Sequence, residues 1–291
     1  MTKTKFWSAL VLIVGLLALV ATGCGDDDDG DSTSSSADST SSSADSTSAE
    51  TADLGLIEDG TLIVGSDIHY PPFEQGDPPD YTGFDIDLIN AVADDLGLEV
   101  QIEDAPFDLI LTGGGGQFDL SISATTITPA REKKVDFSDP YFVSSQGLLV
   151  AEGSDIASID DVTSDTIVGA EDGTTGETYA TDNSEAGEVR GFPSVDDAFN
   201  ALSVGQVDAV VADGPTVEDA AANKEGLEVV EIFPTDEQYG IVFPDGSDAL
   251  LEAVNGSLQT IKDDGTLDEI YEEYFDMPAP EVLLTATNEA T

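Results

Sequence analysis

The region that most restricts the fold lies between residues 61 and 102, where a strand, a helix and a second strand are predicted in succession. Thr61–Ser66 (TLIVGS) is a short apolar run typical of a strand that is buried on both faces. The next segment, 84–96, carries apolar residues at positions 84, 88, 92 and 96, which share one helix face, and Gly97 ends it. Residues 98–102 again indicate a strand. This order predicts an α/β fold with sheets flanked by helices.

The segment 119–141 (DLSISATTITPAREKKVDFSDPY) predicts an anion-binding site. Leu120 and Ile122 alternate with polar residues, which indicates a half-buried strand ending in hydroxyl residues. Thr128-Pro129 is a helix-start signal, which places Arg131 in a first helical turn. Hydroxyls, free backbone N–H groups and a guanidinium fork together suit a carboxylate. The alternative is that Arg131 is an ordinary surface charge.

The charge balance favours a specific role for Arg131. The chain has 61 acidic and 8 basic residues, a formal charge of −53. Two of the cations, Lys3 and Lys5, fall in a predicted leader, and three of the other six are Arg131, Lys133 and Lys134. Such acidity excludes nucleic acid as a partner and disfavours an anionic membrane surface. Its spread along the chain indicates adaptation to high salt, with an ordinary acidic extracellular protein as the alternative.

Cysteine and histidine are too rare for several kinds of site. Cys24 is the single cysteine, so the chain has no internal disulfide and no cysteine-ligated metal. His69 is the single histidine, which disfavours a histidine-based catalytic triad or zinc site. We therefore expect no cofactor and no metal.

Residues 1–23 have the features of an export signal, with lysines followed by an apolar run and small residues. Residues 21–24 (ATGC) resemble the lipobox of bacterial lipoproteins, although Ala21 stands where leucine is preferred. Cys24 is therefore the predicted lipidation site, and an uncleaved membrane anchor over 6–23 is the alternative. In both cases the remainder lies outside the cytoplasmic membrane, on its extracellular face or in the periplasm.

Residues 24–53 are predicted to be a disordered tether. They consist almost entirely of Asp, Ser, Thr and Ala, and DSTSSSA occurs at 31–37 and again at 38–44. This composition cannot form a core. A flexible chain of this length reaches roughly 30 Å on average.

An internal repetition predicts two similar lobes. Residues 63–67 (IVGSD) resemble 167–171 (IVGAE), and 116–120 (GQFDL) resemble 205–209 (GQVDA) in the same order. Ligands of open α/β sheets bind beyond the carboxyl ends of strands, so two facing lobes would form a cleft. Five residues follow predicted strand ends: Asp67, Thr126, Arg131, Glu171 and Asp213.

The second half contains further turn and helix signals. Residues 172–177 (DGTTGE) form a second anion-favouring turn before a helix, without the lysine of a nucleotide-binding P-loop. Ser194 is the predicted cap of a helix over 195–204. Helices are predicted over 247–261 and 266–275, the second with a capping box from Thr266 to Glu269. We predict that the tail after Pro278 is disordered.

Six segments give the chain its resemblance to bacterial extracellular solute-binding proteins of the polar-amino-acid class, which serve ABC importers. They are VGSDIHYPPFE (64–74), GFDIDL (83–88), FDLSISATTITPAREKKVDFSDPYF (118–142), GTT (173–175), GQVDAVVAD (205–213) and DGTLDEIYEEYF (264–275). They cover nearly all of the folded region, and the long middle segment is highly specific.

The resemblance implies a two-lobed fold of the type II periplasmic-binding-protein kind. Each lobe is then a mixed sheet flanked by helices, and two hinge segments join the lobes. Lobe 1 would comprise 54–142 and 241–280, lobe 2 would comprise 143–240, and 281–291 would be the tail. One departure is the run TGGGG at 112–116, where the family has an apolar helix. Glycine is unfavourable in helices by about 1 kcal/mol, so this helix is predicted to be short or frayed, which leaves the position of Phe107 open.

The resemblance also implies the residues of an amino-acid site. It places Arg131 on the ligand α-carboxylate, with help from Thr126, the backbone of Ala124 and the amide of Thr175. It places Asp213 on the α-ammonium group. The side-chain pocket would be lined by Asp67, Tyr70, Phe107 and Glu171. Asp85 and Asp87 are interpreted as capping and loop-holding groups, and Phe137 and Tyr141 as core or hinge residues.

The implied function is reversible capture of a free L-amino acid, without catalysis, by a monomeric lipid-anchored receptor that delivers it to an ABC transporter permease. Ligand groups bound from opposite lobes would drive closure of the cleft. Two acidic pocket residues, Asp67 and Glu171, favour a cationic amino acid. The alternatives are a dehydratase-type enzyme on the same fold, with Glu171 as its acid or base, and the ligand-binding component of a sensory system.

Overall fold

The structure, a computed structural model, describes residues 53–288 and contains two five-stranded sheets. The predicted leader, the lipidation candidate Cys24 and the tether up to residue 52 lie outside the described residues. Within 53–288 no helix is both long and apolar enough to span a bilayer.

The elements of the first part of the chain alternate between short strands and helices. They are β1 (Thr61–Ser66), β2 (Gln75–Asp77), β3 (Asp80–Thr82), α1 (Phe84–Leu96), β4 (Glu99–Asp104), α2 (Phe107–Ile110), β5 (Leu120–Ser121) and β6 (Asp136–Phe137). A 3₁₀ turn, Gly113–Gly116, follows α2.

The second sheet and the C-terminal helices follow. Their strands and helices are β7 (Phe142–Ala151), β8 (Ile167–Glu171), α3 (Thr175–Asn183), β9 (Glu188–Phe192), α4 (Val195–Ser203), β10 (Ala209–Asp213), α5 (Gly214–Asn223), β11 (Leu227–Tyr239), β12 (Val242–Phe243), α6 (Asp248–Asp264), α7 (Thr266–Phe275) and α8 (Glu281–Leu284). Another 3₁₀ turn is Ile159–Asp161.

Both sheets are mixed. The first has the order β4-β1-β5-β12-β6, with β1 parallel to β4 and β5, and β12 antiparallel to β5 and β6. The second has the order β11-β7-β10-β8-β9, with β8 parallel to its neighbours and β7 antiparallel to β10 and β11. The predicted α/β architecture of two sheet bodies flanked by helices is therefore confirmed. We call the body around the first sheet lobe 1 and the body around the second sheet lobe 2.

Helix α1 forms as its apolar periodicity predicts. Phe84, Leu88 and Val92 are fully buried against the first sheet. Gly97 ends the helix with φ of 72°, and the N–H of Leu98 donates to the Ala93 carbonyl at 2.9 Å. A left-handed glycine with this back-bonding is the common helix terminator, because glycine has no Cβ to oppose a positive φ.

The core of lobe 1 holds the ends of the two long strands of lobe 2. Phe142 begins β7 and Tyr239 ends β11, and both rings are buried. The ring centroid of Phe73 lies 5.0 Å from that of Phe142 and 5.4 Å from that of Tyr239. Tyr141 is also fully buried there, in agreement with its interpretation as a core residue. Both strands that cross between the lobes are thus anchored by aromatic packing.

The segment 128–135 is not the helix that the Thr128-Pro129 signal predicts. Thr128 does accept a capping hydrogen bond, from the N–H of Arg131 to its Oγ1 at 3.2 Å. Only turns follow, because the chain enters β6 at Asp136 to pair with β12. The capping residue was therefore predicted correctly, but the pairing of β6 with β12 prevents the turns that follow from extending into a helix. The preceding strand β5 is also buried on both faces rather than half-buried.

Two expectations near the C-terminus were wrong. Thr266 is the first residue of α7 rather than its cap, and its N–H donates to Asp264 Oδ1 at 2.9 Å. The tail beyond Pro278 is not disordered as far as residue 288, since it contains α8. Leu283 is fully buried in the core of lobe 1, and this apolar burial holds the tail.

The glycine before α1 permits a close backbone contact that can be tested by Gly83→Ala. Gly83 has φ of 132°, and a Cβ there would stand 2.2 Å from the Phe73 carbonyl oxygen. We expect Gly83→Ala to lower the free energy of unfolding by at least ~2 kcal/mol, as measured by urea unfolding followed by circular dichroism. Gly256→Ala is the control, since that helical site has no atom within 4 Å of a Cβ and alanine favours helices. Equal stability of the two variants would contradict the steric argument.

Candidate ligand-binding site

A cavity of about 300 Å³ lies where the two lobes face each other. Its lining consists of Asp67, Tyr70, Phe107, Ser123, Ala124, Thr126, Arg131, Glu171, Thr174, Thr175 and Asp213. All nine residues predicted for the amino-acid site therefore line this one cavity, and Ser123 and Thr174 line it as well.

The strand ends of both sheets supply the polar residues of this cavity. Asp67 follows β1, and the segment 123–126 follows β5, so both come from the carboxyl edge of the first sheet. Glu171 and Asp213 are the last residues of β8 and β10 in the second sheet. This is the edge at which α/β sheets bind ligands.

Two short helices complete the lining. Thr175 begins α3, and the Oγ1 of the preceding Thr174 caps the helix by accepting from the N–H of Glu177 at 3.2 Å. Phe107 begins α2, which has only four residues. As predicted from TGGGG, this helix is short, and all four glycines that follow have positive φ. Phe107 is nevertheless buried at the cavity wall.

Arg131 is a buried cation that spans the cleft. Its Nη1 donates to the carbonyl of Thr126 in lobe 1 at 2.8 Å, and its Nη2 donates to the carbonyl of Gly173 in lobe 2 at 3.2 Å. The guanidinium carbon lies 5.3 Å from the centre of the Phe107 ring. Burial lowers the pKa of Arg131, and the negative charges of Asp213 and Glu237 oppose this shift. A guanidinium remains protonated in proteins even so.

Arg131 forms no ion pair with any residue between 53 and 288. The ion pairs within 4 Å in that range are Arg190 with Glu188 and Lys224 with Asp196, both at the surface. The guanidinium of Arg131, only 8% exposed, thus has carbonyl partners and no carboxylate. A buried cation is normally paired, so this arrangement suits an anionic group from a ligand.

Asp213 accepts three hydrogen bonds in the cavity. Its Oδ2 accepts from the hydroxyl of Tyr70 at 2.9 Å and from that of Tyr239 at 2.6 Å, and its Oδ1 accepts from Gln146 Nε2. Burial and the charge of Glu237 raise the pKa of Asp213 to about 6, while the three hydrogen bonds oppose this rise. The carboxylate is therefore mainly ionised at neutral pH and can receive a cationic group.

Asp67 and Glu171 face each other from opposite lobes within hydrogen-bonding reach. Burial and the neighbouring negative charge raise the pKa of Glu171 to about 9, and burial raises that of Asp67 to about 6. Glu171 is buried and Asp67 half-buried, and two carboxyl groups this close oppose each other's ionisation, which favours one shared proton at neutral pH. Replacing that proton by a ligand cation would leave both groups charged and paired.

Ala124 is held in an unusual conformation by a buried carboxylate. Its φ is 42°, in the left-handed region, and its N–H donates to Asp85 Oδ2 at 2.7 Å. The Tyr141 hydroxyl donates to the same oxygen at 2.9 Å. Asp85 therefore holds the loop, in agreement with its interpretation. The Ala124 N–H is therefore engaged and does not donate to a ligand carboxylate as the resemblance implied; its carbonyl can only accept, for example from an ammonium group.

Two further polar residues behind the cavity were not found from the sequence. The Nε2 of Gln146, a fully buried residue of β7, lies within hydrogen-bonding distance of Asp213 Oδ1, of Thr175 Oγ1 at 3.2 Å and of Glu237 Oε1 at 3.0 Å, and its two protons are shared among these three acceptors. Glu237 on β11 accepts from both Thr126 and Thr175. The sequence offers no signal that separates one glutamate from the other acidic residues, and Gln146 is a single polar residue in a strand.

Comparisons with known proteins agree with this geometry. A family model described as "Bacterial extracellular solute-binding proteins, family 3" matches residues 62–277. A probable histidine-binding protein of Neisseria gonorrhoeae is 31% identical over 73% of this chain and 82% of its own length. The structure of an ancestral arginine-binding protein bound to glutamine superposes with a TM-score of 0.70 and 39% identity, covering 75% of this chain and 99% of that one.

A third comparison is the arginine-, lysine-, histidine-binding protein ArtJ from the thermophilic bacterium Geobacillus stearothermophilus. Its structure gives a TM-score of 0.70 and 31% identity, and covers 76% of this chain and 97% of that chain. The mixed sheets flanked by helices are thus shared with solved amino-acid-binding proteins.

Proposed function

Because the chain belongs to the bacterial extracellular solute-binding proteins of family 3, we propose that it captures a free L-amino acid with a cationic side chain and delivers it to an ABC importer. The family and the relatives compared above are solute-binding proteins rather than enzymes, so the dehydratase alternative is not retained. One observation carries the proposal: the buried guanidinium of Arg131, which pairs with no carboxylate between residues 53 and 288, shares a cavity with the facing carboxyl groups of Asp67 and Glu171.

The proposed binding mode uses residues from both lobes. The ligand α-carboxylate pairs with Arg131 of lobe 1 and accepts from the amide of Thr175 of lobe 2, while the α-ammonium group binds Asp213. The cationic end of the side chain lies between Asp67 and Glu171, with Tyr70 and Phe107 covering its apolar part. A ligand that contacts both lobes binds the closed cleft better than an open one and so drives closure.

The proposed setting is the outside of the cytoplasmic membrane. Lipidation of Cys24 would hold a monomeric receptor there by its tether, and the closed form would deliver the amino acid to a permease. Delivery to a sensory protein instead of a permease is the second candidate. The cationic preference is supported by the name of the ArtJ relative, an arginine-, lysine-, histidine-binding protein.

A screen of the twenty amino acids by thermal shift and calorimetry in high salt tests the proposal. We expect arginine and lysine to raise the melting temperature and to bind with micromolar dissociation constants, about −8 kcal/mol. Aspartate and glutamate should not bind. Preference for glutamine would retain the α-carboxylate site and contradict the cationic side-chain pocket. Binding of no amino acid would contradict the whole proposal.

A further inference from the structure

Glu237 is directed at the cleft by an irregularity in β11. Phe233 pairs with Gln146 on β7, and Glu237 pairs with Ser144, so three residues of β11 stand opposite one residue of β7. Within this bulge Asp236 has φ of 54°, a left-handed conformation that is rare for a non-glycine residue. Bulges commonly redirect a side chain next to a functional site.

The Glu237 carboxylate accepts hydrogen bonds from four side chains. Its Oε2 accepts from Thr126 Oγ1 at 2.8 Å and from Thr175 Oγ1 at 2.7 Å, and its Oε1 accepts from Gln146 Nε2 at 3.0 Å and Thr235 Oγ1 at 2.8 Å. Thr126 belongs to lobe 1 and Thr175 to lobe 2. One carboxylate oxygen therefore joins the two lobes directly behind the cavity.

Backbone pairing places this junction where β11 leaves the second sheet. Thr126 forms a β-bridge with Tyr239, and the N–H of Ile127 donates to the Gln238 carbonyl at 2.8 Å. Glu237 directly precedes these two residues of β11 and pairs with Ser144 on β7, so it lies at the point where β11 passes from lobe 2 to lobe 1. Any separation of Thr126 from Thr175 would break at least one of its hydroxyl contacts.

We propose that Glu237 is a positioning residue that fastens the closed cleft and orients the hydroxyls of Thr126 and Thr175. This inference rests on the proposed function, since it assigns a role in the same site. A threonine hydroxyl has a single proton, and here both protons point to Glu237. Neither hydroxyl is therefore free to donate to an α-carboxylate, and the Thr175 oxygen also accepts from Gln146 Nε2 at 3.2 Å. The Thr126 hydroxyl is thus held by Glu237 and is not the carboxylate donor that the resemblance implied.

The test compares Glu237→Ala and Glu237→Gln with the control Glu228→Gln. Glu228 is an exposed acid on the same strand, and its Oε1 accepts from the N–H of Gly153 within lobe 2. All variants carry the full chain with Cys24→Ser, and dyes are attached at Asp95→Cys and Asp182→Cys, which are exposed residues of lobe 1 and lobe 2. Energy transfer between the dyes reports the closed fraction, and calorimetry reports arginine affinity.

We expect Glu237→Ala to lower the closed fraction without added amino acid and to weaken arginine binding at least tenfold. Glu237→Gln keeps an accepting oxygen and should recover part of both properties, while Glu228→Gln behaves as the parent protein. Unchanged energy transfer in Glu237→Ala overturns the proposal, and so does tighter arginine binding, which would mean that Glu237 competes with the ligand carboxylate. If the parent protein binds no amino acid, the proposed function fails. The role of Glu237 in holding the cleft closed is still tested in that case, because energy transfer is compared between the variants without ligand.

Discussion

Arg131→Ala is expected to abolish amino-acid binding, with a loss of affinity of about a thousandfold. Truncating one partner of a buried, hydrogen-bonded charge pair costs roughly 2–5 kcal/mol, and a thousandfold change corresponds to about 4 kcal/mol. No other cation among residues 53–288 lines the cavity, so none can replace the guanidinium. Calorimetric titration with arginine measures the loss.

The size of this loss must be separated from damage to the fold. Arg131 also donates to the Thr126 and Gly173 carbonyls, so circular dichroism and thermal unfolding of the variant accompany the titration. Lys133→Ala removes an exposed cation two residues away and should bind normally. Arg131→Lys keeps the charge but loses the two-pronged geometry, which predicts an intermediate affinity. A folded Arg131→Ala variant with parental affinity would contradict the carboxylate assignment.

Short-range patterns in the sequence were sufficient to predict those helices whose ends are set by neighbouring residues. The apolar stripe of α1 and the glycine after it fix both ends of that helix, and Ser194 caps α4 by accepting from the Asp197 N–H at 3.2 Å. The order of strands and helices then predicted an α/β fold, and the rule that such folds bind ligands beyond the carboxyl ends of their strands predicted which residues line the site. The fold was predictable because short-range patterns and long-range packing agree there.

The features that sequence reasoning missed depend on long-range contacts. The turns at 128–135 are cut short by pairing of β6 with β12, more than a hundred residues away in the chain. The helix α8 is held by burial of Leu283, which a short apolar run does not reveal. Glu237 reaches the cleft only because of a bulge opposite β7. In a chain with 61 acidic residues, no local pattern separates this glutamate from the others.

The second large prediction concerns the facing carboxyl groups of Asp67 and Glu171: arginine affinity should rise about 25-fold from pH 7 to 8.5. The raised pKa of Glu171, about 9, means that most molecules keep one proton on the pair over this range. A cation bound between the two groups favours their ionised forms, so the proton leaves as arginine binds. Affinity linked to release of one proton increases tenfold per pH unit and levels off above the pKa of the pair. Burial, Asp213 and Asp104 oppose ionisation of this pair, while His69 favours it at Asp67.

Proton release can be counted directly. Titrations with arginine are carried out at pH 7.5 in two buffers that differ in ionisation enthalpy. The apparent binding enthalpies should differ by the full difference between the two ionisation enthalpies, which corresponds to one proton released per arginine bound. Glu171→Gln has no proton to release, so we expect both the buffer difference and the pH dependence to disappear in that variant, with weaker binding because one negative charge is lost. Equal heats in the two buffers for the parent protein would contradict the shared proton.

A neutral ligand separates proton displacement from a general effect of pH on the protein. If glutamine binds, its side-chain amide can donate to one carboxylate and accept from the protonated partner, so the proton between Asp67 and Glu171 stays. Its affinity should then stay nearly constant between pH 7 and 8.5, a range above that in which an unperturbed histidine titrates. The ratio of arginine to glutamine affinity should consequently grow with pH, which makes the protonation of this pair the determinant of cation selectivity. A ratio that does not change with pH would show that the pair does not distinguish the two ligands by charge.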